Sequence, residues 1–86
     1  MDYEDIIDVL KAVIAEMFEV TEGSVTEDTR FIEDLNIESV DVTELLMIAE
    51  EEFDLENLTE EEVADIETVG DAADFVLHKM EENNKE

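Results

Sequence analysis

The stretch Phe31-Ile32-Glu33-Asp34-Leu35-Asn36-Ile37-Glu38-Ser39-Val40-Asp41-Val42-Thr43-Glu44-Leu45-Leu46-Met47-Ile48-Ala49-Glu50-Glu51-Glu52-Phe53 changes character at its serine. Ahead of Ser39, the apolar Phe31, Ile32, Leu35 and Ile37 punctuate a polar run without a sustained period, which reads as a loop folded back onto a core. Beyond it, Val42, Leu45, Ala49 and Phe53 recur at helical spacing, so a helix is predicted from about Ser39 to Phe53. A loop that long in a small domain is uncommon and often functional.

Working outward, the segment from Tyr3 to Glu19 carries Ile6, Leu10, Val13 and Met17 on one stripe, widened by Ile7, Ile14 and Phe18. Asp2 is suited to cap this helix, and the polar run Thr21-Glu22-Gly23-Ser24 to end it. On the other side, Thr59 with Glu62 forms a capping box and Leu58 with Val63 has the spacing of a hydrophobic staple, predicting a short third helix. Thr68, with Asp71 three residues on, opens a fourth helix to about Met80, with Val69, Ala72, Ala73, Val76 and Met80 inward. Gly70 in its first turn carries a local penalty of up to ~1 kcal/mol. His78 and Lys79 near its end are placed to favour the negative helix terminus. No segment alternates with period two for long, and proline is absent. The expected fold is all-α: a four-helix bundle of three longer helices and one short one, with a long first loop. One domain over residues 1–80 and a frayed tail over 81–86 are expected.

Composition narrows the function. Twenty-nine acidic residues against four basic ones give a net charge of −25 over 86 residues. Such a surface repels phosphate backbones and anionic lipid head groups, which argues against binding nucleic acid or membranes. It attracts basic protein surfaces and speeds encounter with them. With no cysteine and one histidine, thiolate and two-histidine metal motifs are absent. Gly23 and Gly70 are the only glycines, so there is no glycine-rich phosphate loop, and no acidic stretch has the glycine placement of a calcium loop. Ser39 or Ser24 could be combined with His78 and an acid on paper, but a short helical chain leaves little room for a cleft beside such a triad. No catalytic residues and no metal site are therefore assigned. The absence of a basic, apolar leader and of a membrane-spanning run predicts a soluble, cytoplasmic protein, although an organelle form with its transit peptide removed would look the same. A monomer is expected.

The Phe31–Phe53 segment closely resembles the attachment region of acyl carrier proteins, in which a Phe-x-x-Asp-Leu loop leads to Asp-Ser-Leu-Asp, then Glu-Leu and an acidic run ending in Phe. The resemblance continues through Ile66-Glu67-Thr68-Val69 and the Ala-rich last helix, and it covers at least Ile6 to Leu77. Glu38 and Val40 stand where the family has Asp and Leu, and Asn36-Ile37 where it has Gly and a small residue. The resemblance implies a bundle of acyl-carrier type and a covalent 4'-phosphopantetheine on Ser39. Coenzyme A would donate it through a phosphopantetheinyl transferase that uses a divalent metal. Acyl intermediates would then be held as thioesters for fatty acid or related lipid biosynthesis. Glu38, Val40, Asp41, Glu44, Met47 and Glu51 would form the recognition surface for acyl-transferring and chain-modifying enzymes with basic docking patches. Leu45, Leu46, Ile66, Ala72, Ala73 and Val76 would shelter the acyl chain.

The residues themselves leave other readings open. Serine at a helix start is most often a cap, contributing about 1 kcal/mol. Most of the acids are solvated surface, and the apolar stripes can simply be filled core. A carrier for polyketide, peptide-synthesis or D-alanyl transfer fits the same features. An acidic protein that mimics nucleic acid explains the charge, though not the helix-opening serine.

Overall fold

The computed structural model describes residues 2–83. Three α-helices, α1 (Tyr3–Phe18), α2 (Ser39–Glu52) and α3 (Val69–Asn83), are joined by a long first loop containing a 3-10 turn (Glu22–Ser24) and by a second connection. The all-α expectation holds, with one difference. The short helix expected at Thr59 is a run of turns over residues 60–65. Its capping box nevertheless forms: Glu62 N–H donates to Thr59 Oγ1 at 3.3 Å, and Thr59 N–H to Glu62 Oε1 at 3.2 Å. A cap needs following turns to stabilise, and this segment instead spends its apolar side chains on the neighbouring helices. α3 runs three residues past its expected end at Met80, to Asn83, so His78 lies short of the last turn and its Nε2 meets Glu82 Oε1 at 3.1 Å. Of the expected tail, residues 84–86 lie outside the described residues.

Local chemistry sets the helix ends. Asp2 accepts from Asp5 N–H at 3.1 Å and returns its own N–H to Asp5, opening α1. α1 closes on Glu19 in the left-handed region (φ 53), a place glycine usually takes. Asp71 accepts from the N–H groups of Glu67 and Thr68, both at 3.2 Å, and donates its own N–H to Thr68 Oγ1, which fixes the start of α3.

The core is the α1–α3 seam. Ile6, Ile14, Val69 and Ala73 are fully buried, with Leu10 and Val76 beside them. The loops complete it with Val25, Phe31, Phe53 and Leu55. The first loop folds back as expected: Phe31 N–H donates to Glu67 O at 3.0 Å and Val69 N–H to Thr29 O at 3.0 Å, an isolated bridge that ties Arg30 to Thr68 at the foot of α3. α2 is different. Ala49 is its only buried residue, and its approach to α1 and α3 is looser than that of α1 and α3 to each other.

Gly70 has a packing reason. Its N–H donates to Glu27 O at 2.9 Å, and a Cβ there would meet that same oxygen and the Tyr3 hydroxyl, each at 3.2 Å. Alanine would normally stabilise a helix by ~1 kcal/mol over glycine. Here the crowding cancels it, so Gly70→Ala is expected to leave the thermal midpoint unchanged or lower. A rise worth the full helix-propensity gain would contradict the contact.

Acid titrations should give a stability maximum. The backbone N–H groups of Thr68 and Glu67 hold the Asp71 carboxyl below its ordinary value of 3.8, and the Lys79 ammonium does the same for Glu62 relative to 4.5. Depressed carboxylates contribute stability above their unfolded values and lose it as pH falls through the folded ones. Against this, acidification from neutrality first relieves the mutual repulsion of a −25 chain. At low salt the thermal midpoint should therefore rise from pH 7 to about pH 5 and fall below about pH 4. A midpoint that only falls on acidification would show repulsion to be negligible.

Candidate attachment site and apolar cavity

Ser39 is the first helical residue of α2, and Glu38 is the cap. The bland reading of the serine as a cap therefore does not apply. Glu38 has extended backbone, and its N–H donates to Asp41 Oδ2 at 3.0 Å. The helical ladder begins with Val42 N–H donating to Glu38 O at 3.0 Å, leaving the N–H groups of Ser39 and Val40 at the positive end of the helix without intrahelical partners. The Ser39 side chain is exposed and makes no hydrogen bond among the described residues. A hydroxyl so placed can be esterified without breaking a contact, and a phosphodiester there faces free N–H donors. The flanking carboxylates of Glu38 and Asp41 oppose an added anion, but a covalent link does not depend on affinity.

The loop before it turns on Asn36, in the left-handed region at φ 54. Glycine is the default there and asparagine the next best, which accounts physically for a Gly position occupied by Asn. The turn sends Ile37 N–H back to Phe31 O at 2.9 Å and delivers the chain to the start of α2.

Glu38, Glu44 and Glu51 are exposed and Asp41 is half-buried. Val40 and Met47 among them are 69% and 62% exposed, two of the few large apolar side chains facing solvent.

Beneath α2 lies an apolar cavity of about 100 Å³. Of the candidate pocket residues, Leu45, Leu46, Ile66, Ala72 and Val76 line it, while Ala73 is turned away, fully buried in the α1–α3 seam. Sequence reasoning did not assign Leu10, Phe31, Ile37, Val42, Leu58, Val63 or Phe75, which also line it. The period of α2 marked Val42 as inward, and that inward face forms one wall of the cavity. Val42 is one turn from Ser39, so the cavity opens within reach of a group attached there. Its outer wall, the 58–66 segment, is held on both sides. Thr43 Oγ1 donates to Glu60 at 2.8 Å and Leu58 N–H to Glu50 at 3.1 Å from α2; Lys79 on α3, stacked over Phe75, pairs with Glu62. Among the described residues no cluster of His, Cys, Asp and Glu could hold a metal ion, and no helix is long and apolar enough to cross a membrane.

A helical module with a free serine at a helix start, above an apolar cavity, defines a carrier domain of the phosphopantetheine-attachment type. The family model described as "Phosphopantetheine attachment site" matches residues 8–76. The chain is 41% identical over 76 residues to the acyl carrier protein of Borreliella burgdorferi, covering 88% of this chain and 94% of that one. It is 40% identical over 76 residues to that of Lactobacillus acidophilus, with the same coverage. Its fold is similar to the solved acyl carrier protein from Enterococcus faecalis, with a TM-score of 0.75 and 29% identity over 92% of this chain and 99% of that chain. The chain belongs to the acyl carrier protein family. It is a non-catalytic carrier, and the prosthetic group of its family is a covalent 4'-phosphopantetheine.

Proposed function

We propose that Ser39 is the attachment point and that the chain carries fatty acyl groups. The observation that carries this reading is the exposed, unbonded hydroxyl at the start of α2, one turn from the apolar cavity. In the attachment step the Ser39 oxygen loses its proton and bonds to the phosphorus of the pantetheine phosphate, and coenzyme A releases adenosine 3',5'-bisphosphate. The group supplies a terminal thiol on which acyl chains are held, in a protein that has no cysteine of its own. The apolar cavity lining favours an aliphatic chain over an aminoacyl or D-alanyl cargo, which would bury an unpaired ammonium. Leu45, Leu46, Ile66, Ala72 and Val76 would shelter it, with Ala73 supporting from behind. Glu38, Asp41, Glu44 and Glu51, framing Val40 and Met47, would receive the basic patches of the transferase and the acyl-processing enzymes.

Incubating the full chain with a phosphopantetheinyl transferase, coenzyme A and magnesium tests this. One phosphopantetheine increment in intact mass, mapped to the peptide holding Ser39, is expected. A chain that stays at its starting mass with a transferase active on another carrier would overturn the reading.

A further inference from the structure

We infer that the groove between α1 and α2 is a second docking surface, one that receives a basic amphipathic helix of a protein partner. The groove encloses about 350 Å³ between Val13, Glu16 and Met17 of α1 and Glu44, Ile48 and Glu52 of α2. Val13 and Met17 continue the apolar stripe of α1 whose other members, Ile6, Leu10 and Ile14, are buried. They and Ile48 are only half-buried and line the groove between the two helices. All three carboxylates on the rim are exposed. The groove thus combines three exposed carboxylates with three half-buried apolar side chains, which calls for an occupant that is strongly cationic and carries an apolar residue between its charges.

Spacing defines that occupant further. Glu44, Ile48 and Glu52 lie four residues apart on one stripe of α2, so the two carboxylates stand about 12 Å apart with the isoleucine between them. A partner helix with Leu at one position and Lys or Arg four residues to either side repeats the same register in complementary chemistry. The −25 field brings such a helix in and opposes a second copy of this chain or an anionic lipid surface. Ile48 is nine residues from Ser39, about 180° around the helix. A helix in the groove therefore leaves the serine open, and binding here does not depend on the attachment proposed above.

The test uses the full chain and a fluorescein-labelled synthetic helix with one central Leu and Lys four residues to each side, followed by anisotropy at moderate salt. The double substitution Glu16→Gln with Glu52→Gln should weaken binding by about tenfold, the loss of two exposed charge pairs. Glu56→Gln with Glu61→Gln removes the same charge from exposed positions outside the groove and should change it by less than about twofold. Ile48→Ser should weaken binding, Ser39→Ala should leave it unchanged, and a peptide of scrambled register should bind more weakly. Equal losses from the two charge pairs, equal binding of the scrambled peptide, or a peptide-free dimer that closes the groove would each overturn the inference.

Discussion

Ser39→Ala should abolish prosthetic-group attachment while leaving the helices in place. The loss is all-or-none, because no other side chain combines a free hydroxyl with the start of a helix longer than one turn. Ser24, the only other serine, donates its hydroxyl to Thr21 O at 2.7 Å and sits in a three-residue turn. The cost to the fold is small for two reasons. Ser39 is the first helical residue and Glu38 is the cap, so no capping bond is lost. Alanine is also the better helix former, which keeps the change in stability within about 0.5 kcal/mol. Circular dichroism and intact mass, measured on the same sample after transferase treatment, check both halves. A mass increment on the substituted chain would move the attachment site elsewhere.

The second large effect is on stability. Ile6→Ala removes a side chain with 0% exposure from the α1–α3 seam, and changes of that kind cost about 2–5 kcal/mol. Domains generally hold only about 5–15 kcal/mol in total, and a short chain with this excess of negative charge belongs at the low end. Ile6→Ala is therefore expected to be largely unfolded at neutral pH and low salt, and to regain helix on mild acidification or added magnesium. Leu46→Ala makes the contrast. Leu46 is half-buried and borders empty space, so the atoms removed had fewer partners, and about 1 kcal/mol is expected. Urea denaturation of the two variants side by side gives the comparison. Equal losses would mean that the cavity is as tightly packed as the seam.

Much of this was legible in the residues because the decisive signals are local. Asp2, Thr68 and the apolar periods placed α1 and α3 to within a residue at their starts, and the change of pattern at Ser39 placed the start of α2. Where sequence reasoning missed, the cause was tertiary. The capping box at Thr59 is real, yet the turns after it pack as a wall instead of extending a helix. Val25 and Leu55, at 1% and 5% exposure, belong to loops without a period, so nothing local marks them as core. Val13 and Met17 share a stripe with Ile6 and Leu10, but the distance between two helices decides whether that stripe is covered. Ala72 and Ala73 differ by about 100° around α3, which turns one to the cavity wall and the other into the seam.

A helix with a single buried residue and hollows on two flanks is expected to open at lower cost than the pair of helices it lies beside. Amide protons of α2 should exchange with solvent through excursions that leave α1 and α3 intact, so hydrogen exchange should be faster across Val42–Glu52 than across Ile6–Ile14. The segment bearing the serine can then breathe, tilt and reseat around whatever is tethered to it without drawing on the reserve that keeps the remainder folded.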